Sequence, residues 1–246
     1  METGIYVALS SQIALEKRLT TIADNVANTN TVGFRSTEVK FDEALSKAGD
    51  TSVKGDGDVA FVTEGAEYLS TKNGGLTRTG NPLDFAIRGD AWFSIQTPVG
   101  QALTRDGRFT ITATGQLVSV EGYPILDSGG APISVSTQGG ELTVSRDGLL
   151  QEDGRPIAAI GLFNSDFQQG FYRAGSSAVI PTAGISAVVN RTEAGIVQGY
   201  VEESNVNPVS EMTRLIMVQR YFENMQALLG KSESSLEQAI KTLGGA

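Results

Sequence analysis

The sequence contains neither cysteine nor histidine in its 246 residues. Without cysteine the chain forms no disulfides and offers no thiolate as a nucleophile or metal ligand. Without histidine it lacks the commonest general base and the commonest metal ligand of proteins. Ser-His and Cys-His catalysis are therefore excluded, and an enzyme built on this chain would have to use carboxylate, lysine or tyrosine chemistry.

Long hydrophobic runs and excess positive charge are absent as well. No uncharged apolar stretch approaches the roughly 18 residues of a membrane span, so direct membrane insertion is not expected. The N-terminal stretch places Glu2 before its apolar part and interrupts that part at 10–12, which is unlike a cleaved secretion signal. Lys and Arg number 19 against 28 Asp and Glu, without a basic cluster, so we expect no nucleic-acid partner.

The first predicted element is an amphipathic helix over residues 4–28. Its apolar residues recur three or four positions apart, as a helix buried on one face requires. Asn25, Asn28 and Asn30 follow at its end and predict a helix stop, because asparagine tolerates the left-handed conformation found there. Gly33 suits a further residue with positive φ. The simplest interpretation of this stretch is a helix end and a turn.

The middle of the chain has the pattern of β-structure. Residues 36–75 are of mixed character and read as an extended connecting segment, in which Asp56 and Asp58 lack the further ligands of a calcium loop. From 76 to 198, short alternating runs such as 83–89, 91–97, 108–115 and 116–122 are separated by Gly, Pro and Asp-Gly turns. Arg-Asp-Gly at 105–107 and 146–148 is interpreted as a recurrent turn, and the single Trp92 as a core residue.

A second helix is predicted after Asn207. Pro208 suits its first turn, an interruption is expected at Gly230, and the glycines at 244–245 end it. The GKSESS stretch here lacks the first glycine of a phosphate-binding loop, since Met225 occupies that position, and no cofactor is expected. The predicted fold is α+β, with a central all-β domain between terminal helices. The predicted domains are 1–35, 36–75, 76–198 and 199–246.

Three blocks of this sequence resemble the flagellar axial proteins, the family of rod, hook and hook-associated subunits. NVANTNTVGFRS (25–36) is similar to their N-terminal signature, and ESNVNPVSEMTRLIMVQRYFENMQ (203–226) is similar to their C-terminal one. Between them, GGLTRTGNPLDFAIRGDAWFSI and ALTRDGRFTITATGQLVSVEGYPIL resemble the β-domain shared by hook and basal-body subunits. The blocks occur in the order of the family and together cover most of the chain.

The resemblance implies a structural subunit of the flagellar basal-body rod. Its terminal helices would pair in a coiled-coil-like inner layer of a helical assembly that transmits torque across the periplasm. Implied partners are copies of itself, other rod proteins (the proximal subunits and the distal rod protein) and the flagellar type III export apparatus, which would export the chain without a cleaved signal. The implied interface residues are Leu9, Leu15, Leu19, Ile22, Asn25, Val26, Ala27, Asn28, Thr31, Gly33, Phe34, Arg35, Ser204, Asn205, Val206, Asn207, Glu211, Met212, Ile216, Gln219, Arg220 and Phe222.

Alternatives within and outside the family remain at this stage. The length leaves little room for the added outer domain of a hook, and Asp90-Ala91-Trp92-Phe93 replaces the glycine-rich run common in relatives. Both features favour a rod subunit, with the distal rod protein or another axial subunit as the alternative. A carboxylate-dependent cell-wall hydrolase would need an acid pair such as Asp84/Asp90 or Asp106/Asp127. A secreted β-rich adhesin would not explain the paired terminal helices.

Overall fold

The computed structural model describes residues 2–40, 43–46, 59–62, 66–137, 140–188 and 194–244. The chain begins with helix α1 (Glu2–Ala27), continues through short strands and ends with helix α2 (Pro208–Gly244). This order confirms the predicted α+β class with a β-rich middle between terminal helices. The acidic turn containing Asp56 and Asp58 lies outside the described residues.

The strands are short because glycines and prolines interrupt them every few residues. Within the described ranges they are β1 (Thr37–Lys40), β2 (Glu43–Ser46), β3 (Val59–Val62), β4 (Ala66–Leu69), β5 (Leu76–Arg78), β6 (Phe85–Arg88), β7 (Phe93–Thr97), β8 (Gly100–Thr104), β9 (Phe109–Ile111), β10 (Leu117–Ser119), β11 (Leu142–Val144), β12 (Leu149–Glu152), β13 (Arg155–Ala159), β14 (Phe163–Asn164), β15 (Phe171–Arg173), β16 (Ala178–Pro181), β17 (Ser186–Ala187), β18 (Gly195–Gln198) and β19 (Tyr200–Glu202). A 3₁₀-helix at Phe167–Gln169 lies between β14 and β15.

Antiparallel pairing joins strands that are close in sequence and strands that are far apart. The largest sheet has the order β15-β16-β8-β7, and β11, β12 and β13 form a second one. The two-stranded pairs β5–β19 and β6–β18 join the beginning of the β-rich middle to its end. Strands β1 and β4 also pair, as do β2 and β3, β9 and β10, and β14 and β17. The segment 36–75, predicted as extended, thus contains paired strands.

The chain divides into two compact units. The helical unit contains Met1–Val26, Val39–Ala66 and Pro208–Ala246, and the β unit contains Ala27–Glu38 and Glu67–Asn207. The residues just after α1 and those just before α2 therefore belong to the β unit. Whether the four predicted segments are separate domains stays a prediction.

The largest sheet of the β unit is covered by apolar side chains on both faces. Adjacent residues of a strand point to opposite faces, so Phe93 joins a cluster with Phe85 and Phe109, whereas Trp92 joins one with Phe163 and Phe167. The Phe93 and Phe109 rings lie 5.2 Å apart with their planes at 77°, and Trp92 lies 4.9 Å from Phe167. Trp92 is thus a core residue, as predicted, and it marks the second face of the sheet.

Helix α2 is continuous through Gly230, so the predicted interruption there is wrong. A glycine costs a helix interior only about 1 kcal/mol relative to alanine. Its neighbours Leu228, Leu229 and Lys231 all favour helix, and they outweigh that cost. The predicted first turn at Pro208 and the end at Gly244 are confirmed.

Candidate functional site

Helices α1 and α2 lie side by side and antiparallel within the helical unit. Near the end of α1, the Asn25 side-chain amide donates to a Glu211 carboxylate oxygen at 3.5 Å, at the start of α2. Earlier in α1, Leu15 and Arg18 share a groove with Met225, later in α2. The two helices therefore run in opposite directions along their contact, which supports the predicted pairing.

The contact face of each helix has a coiled-coil spacing. Five α2 residues are buried or half-buried at alternating intervals of four and three, the heptad spacing of coiled coils, and they are Glu211, Leu215, Val218, Phe222 and Met225. Ile22 on α1 and Val218 on α2 are almost fully buried. The predicted interface residues Leu15, Leu19 and Val26 are half-buried on the same side of α1 as Ile22. These residues support the pair inside one chain.

Other predicted interface residues point away from the helix pair. Leu9 on α1 and Met212 and Ile216 on α2 are about half exposed, at 49%, 53% and 52%. At 100° per residue, Ile216 lies on the face of α2 opposite Val218. Gln219 and Arg220 are exposed as well. Helix α2 therefore has an outward apolar face, formed by Met212 and Ile216, in addition to its internal one, and Leu9 is exposed separately on α1.

The asparagine-rich stretch ends α1 and turns the chain into the β unit. The helix stops at Ala27, and Thr31 donates through its backbone amide to the Asn28 carbonyl at 3.2 Å and through its hydroxyl to the Asn28 side chain at 3.0 Å. Gly33 has φ +69°, which confirms the predicted positive φ. A Cβ at this position would lie 2.2 Å from the Asp106 backbone nitrogen, so only glycine fits without strain.

The stretch that follows α1 meets the stretch that precedes α2. The Gly33 amide donates to the Glu202 carbonyl at 2.7 Å, and the Asn205 amide donates to the Phe34 carbonyl at 3.3 Å. The Asn205 side chain accepts from the Ser36 amide at 2.7 Å. Val206 and Phe34 are buried here. The two signatures that carry the family resemblance are therefore neighbours in space.

Within the β unit, a buried charge cluster joins these two stretches to the segment after β8. Glu202 forms ion pairs with Arg35 at 2.8 Å and with Arg105 at 3.0 Å. All three side chains are at least 98% buried. Arg105 also donates to the Gly89 carbonyl at 2.7 Å, and the Asn73 side-chain oxygen accepts from both arginines. We name Arg35, Glu202 and Arg105 the Arg–Glu–Arg cluster.

Two cations share one buried anion in this cluster, and the pKa values of both arginines are lowered. Burial, and then the nearby Arg105 charge, lower the pKa of Arg35 to about 10. Burial also lowers the pKa of Arg105, although Glu202 opposes that shift. Both groups stay charged at neutral pH. Their guanidinium carbons lie 5.6 and 5.3 Å from the centre of the Trp92 ring, within the range of a cation–π interaction.

Arg173 fixes the same stretch from strand β15. Its guanidinium donates to the Arg35 carbonyl at 2.7 Å and to the Thr37 hydroxyl at 2.6 Å. It also lies 4.3 Å from the centre of the Phe34 ring. The buried Phe34 ring is thus in contact with a cation, and Arg173 fixes the turn after α1 within the β unit.

The structure thus gives Gly33, Phe34, Arg35, Asn205 and Val206 roles inside their own chain. Their predicted contact with a neighbouring subunit is not tested by these intrachain contacts and stays a prediction. The remaining predicted residues Ser204 and Asn207 are half-buried and exposed, respectively, beside the same junction.

Sequence reasoning missed Glu202, Arg105 and Arg173. Arg105 was interpreted as part of a recurrent Arg-Asp-Gly turn, but 105–107 form an irregular segment after β8 with Arg105 buried. Glu202 immediately precedes the C-terminal signature, and that adjacency is the one sequence signal that pointed to it.

Three of the four candidate acids of a hydrolase make structural contacts. Asp106 forms an ion pair with Arg108 at 2.6 Å. Asp127 accepts two backbone amides at 2.8 Å within its own turn. Asp84 accepts from an asparagine side chain three residues earlier at 2.9 Å. These contacts give each of the three carboxylates a structural role that involves no catalytic reaction.

In the described part of the chain, no helix is both long and apolar enough for a membrane span.

Comparisons with known families match three regions of the chain. Residues 5–35 match the family described as flagella basal body rod protein. Residues 86–152 match the flagellar hook protein FlgE/F/G D1 domain, and 197–242 match the flagellar basal body rod FlgEFG protein C-terminal family. The matched regions contain α1 with its turn, the middle of the β unit, and α2 with the strand residues before it.

Similar proteins cover the whole chain. It is 57% identical over 245 residues to the flagellar basal-body rod protein FlgF of Rhizobium meliloti (strain 1021), covering 100% of this chain and 99% of that protein. It is 53% identical to FlgF of Mesorhizobium japonicum (strain LMG 29417 / CECT 9101 / MAFF 303099), with 99% of each chain covered. Identity to the rod protein FlgG of Caulobacter vibrioides (strain ATCC 19089 / CIP 103742 / CB 15) is 32%, covering 95% and 97%.

Proposed function

The chain belongs to the family of flagellar basal-body rod proteins, and from this premise we propose how it assembles and works. Within the family it is FlgF-like, since its identity to FlgF proteins reaches 57% against 32% for FlgG. Its function is that of a structural subunit of the basal-body rod. We propose that it repeats helically through its terminal helices and passes torque across the periplasm by contact alone.

The outward apolar face of α2 and the exposed Leu9 of α1 support this proposal. Leu9, Met212 and Ile216 expose about half of their surface although the chain has a complete internal helix contact. Burying such a side chain stabilises a contact by roughly 1.5–3 kcal/mol. A head-to-tail contact that uses one face repeatedly generates an open helical assembly. We therefore assign this face to neighbouring copies or to other rod subunits such as FlgG.

The junction between the two signatures supports a mechanical role. A subunit that passes torque by contact alone has to resist internal deformation. The hydrogen bonds at Gly33, Ser36 and Asn205 and the Arg–Glu–Arg cluster hold the two signature stretches together inside the β unit. We propose that the work is done without a chemical step, so the protein is not an enzyme and needs no cofactor.

Export belongs to the same proposal. A rod subunit has to leave the cytoplasm in order to reach the periplasm. We propose export through the flagellar type III apparatus as an unfolded chain. The absence of cysteine suits such a route, because no disulfide has to form or break on the way.

A charge on the outward helix face tests the assembly proposal. Ile216→Asp puts a carboxylate on that face, where an unpaired buried charge costs several kcal/mol. The purified variant should keep the wild-type thermal transition because Ile216 is half exposed in the single chain. In a deletion strain it should fail to restore motility and should be absent from purified basal bodies by immunoblot.

Matched substitutions make this test specific. Gln226→Asp adds the same charge at an exposed polar position of α2 and should restore motility. Leu19→Asp lies in the half-buried internal contact and should disturb the helix pair as well as assembly. Normal incorporation of Ile216→Asp would show that this face remains in water, and the assembly proposal would then be wrong. A peptidoglycan hydrolysis assay on the wild-type protein checks the remaining enzymatic alternative.

A further inference from the structure

Asn73 and Gly74 form the only Asn-Gly pair of the sequence, and they lie in an irregular loop between β4 and β5. In such a pair the glycine nitrogen can attack the side-chain carbonyl carbon of the asparagine, because glycine has no Cβ to obstruct the approach. The products are a cyclic succinimide and ammonia, and water then opens the ring to aspartate or isoaspartate. Asn73 is exposed, so water reaches it. The pair is therefore a candidate site of deamidation.

The attacking nitrogen of this pair faces a carboxylate. The Gly74 amide donates to Oε1 of Glu202 at 2.9 Å. A carboxylate at hydrogen-bonding distance can remove the amide proton while the nitrogen attacks, which is the geometry required of a general base. Glu202 lies 128 residues further along the chain, in β19. The folded chain therefore provides a base that a short peptide around Asn73 lacks.

The carbonyl group that is attacked faces two cations. Its oxygen, Oδ1 of Asn73, accepts from Nη2 of Arg35 at 2.5 Å and from Nη2 of Arg105 at 3.2 Å. Attack at Cγ moves negative charge onto this oxygen, and charged donors that are already in place stabilise such an oxyanion. Nη2 of Arg35 also lies 2.8 Å from Oε1 of Glu202, the oxygen that accepts from Gly74. The base and the oxyanion donors thus belong to one cluster.

Two further contacts hold the Asn73 side chain and its loop in this arrangement. Nδ2 of Asn73 donates to the exposed Asp90 carboxylate at 3.4 Å, so the amide nitrogen points to this acid and the amide oxygen to the arginines. The leaving nitrogen therefore lies beside a negative charge that favours its protonation. The Asn205 side chain donates to the Lys72 carbonyl at 2.8 Å and fixes the preceding residue. Holding reacting groups in place in this way lowers the barrier to their reaction.

We propose that the folded protein deamidates its own Asn73 and converts it into an aspartate. The bond between the Gly74 nitrogen and Cγ of Asn73 forms, the bond between Cγ and Nδ2 breaks, and Nδ2 takes up the proton removed from Gly74 and leaves as ammonia. Water then adds at Cγ, where the arginines still hold the oxygen, so the ring opens to aspartate with an intact backbone. The reaction occurs once per chain, so it is a modification without turnover. It does not depend on the proposed rod function.

The rate and the product of the reaction in the folded protein test the proposal. The full-length protein and a synthetic peptide of residues 70–77 are incubated at neutral pH, and peptic fragments are analysed by mass spectrometry. The folded protein should react at least about tenfold faster than the peptide, since one oxyanion donor contributes about 100-fold in an enzyme. Electron-transfer fragmentation should identify mainly aspartate, whereas the free peptide gives mainly isoaspartate. A rate at or below that of the peptide, or mainly isoaspartate in the protein, would overturn the proposal.

Substitutions at two adjacent glutamates test the role of the base. Glu202→Gln keeps the shape of the side chain without its charge, and below its own unfolding temperature it should react as slowly as the peptide. Glu203→Gln removes the same charge from the exposed neighbouring position and should keep the wild-type rate. Equal rates in the two variants would contradict Glu202 as the base. The comparison of the wild-type protein with the peptide needs no variant, so it decides the proposal even where Glu202→Gln does not fold.

Discussion

Replacing Glu202 by glutamine should destabilise the β unit far more than an ordinary polar substitution. Glutamine has the same shape, so packing is kept and the Gly74 amide, 2.9 Å from Oε1 in the wild type, still has an oxygen to donate to. The charge alone is removed. In the wild type, Arg35 lies 2.8 Å and Arg105 lies 3.0 Å from a carboxylate oxygen of Glu202. In the variant both arginines stay buried without this anion.

The expected loss follows from the cost of an uncompensated buried charge. Removing one partner of a buried ion pair typically costs about 3–5 kcal/mol, and here one substitution leaves two cations unpaired. For a unit of this size, each kcal/mol lowers the midpoint of thermal unfolding by about 2–4 °C. We therefore expect a decrease of about 6–20 °C.

The neighbouring residue provides the matched control. Glu203 is exposed and accepts from the Thr77 hydroxyl at 2.6 Å, so Glu203→Gln removes the same charge from the next position of the chain. Its effect should stay within about 1 kcal/mol, as for other exposed groups. Urea and thermal unfolding followed by Trp92 fluorescence measure both variants.

Comparison with a substitution of Arg105 tests whether charge balance is the cause of the lost stability. Arg105→Met leaves Arg35 and Glu202 as a balanced pair, so it should cost less than Glu202→Gln although it removes more hydrogen bonds. If Glu202→Gln is as stable as Glu203→Gln, or if Arg105→Met is the more damaging change, charge balance does not hold this junction together.

Three further changes have expected outcomes. Gly33→Ala should destabilise the β unit by more than the roughly 1–2 kcal/mol of a left-handed alanine, because the new Cβ also meets the Asp106 backbone at 2.2 Å; urea unfolding measures this. Gly230→Ala should raise the helicity of the chain in circular dichroism and stabilise α2 by about 1 kcal/mol, since no atom lies within 4 Å of the new Cβ; unchanged or lower helicity would contradict a continuous α2. Hydrogen exchange is measured on dilute monomer. The Gly33 amide should exchange slowly because it donates to the Glu202 carbonyl. Amides in the first half of α1 should exchange fast because isolated helices are marginal in water.

Local patterns predicted the elements of this fold well. The three- and four-residue spacing in 4–28 predicts α1, and alternation predicts strands such as β6 and β7, because both patterns follow directly from the geometry of a helix or a strand. Gly33 was predictable for the same reason, since a positive φ is a local property. The wrong interruption at Gly230 is also local in origin, as the preference of one residue was given more weight than that of its neighbours.

The charge cluster was not predictable by such means. Glu202 and Arg105 are 97 residues apart, and neither belongs to a periodic pattern. The pairing of β19 with β5 positions Glu202, whereas Arg105 follows β8 and donates to the Ile87 carbonyl of β6 at 3.4 Å. This long-range arrangement has no signal in a single sequence. The orientation of helix residues was not predictable either. Met212 and Phe222 were both predicted as interface residues, but Met212 is exposed and Phe222 is half-buried.

The junction between the two signatures also determines when the protein can become folded. The hydrogen bond between Ser36 and Asn205 closes a separation of 169 residues, and β19 and β18 pair with β5 and β6 across shorter but still long separations. A chain that is synthesised from its N-terminus has to wait for its last fifth before Arg35 meets its anion and the β unit is complete. Until then Arg35 and Arg105 lack this counter-charge, and β5 and β6 lack their partner strands. Synthesis of the stretch up to Asn205 is therefore the step that allows the β unit to complete its folding.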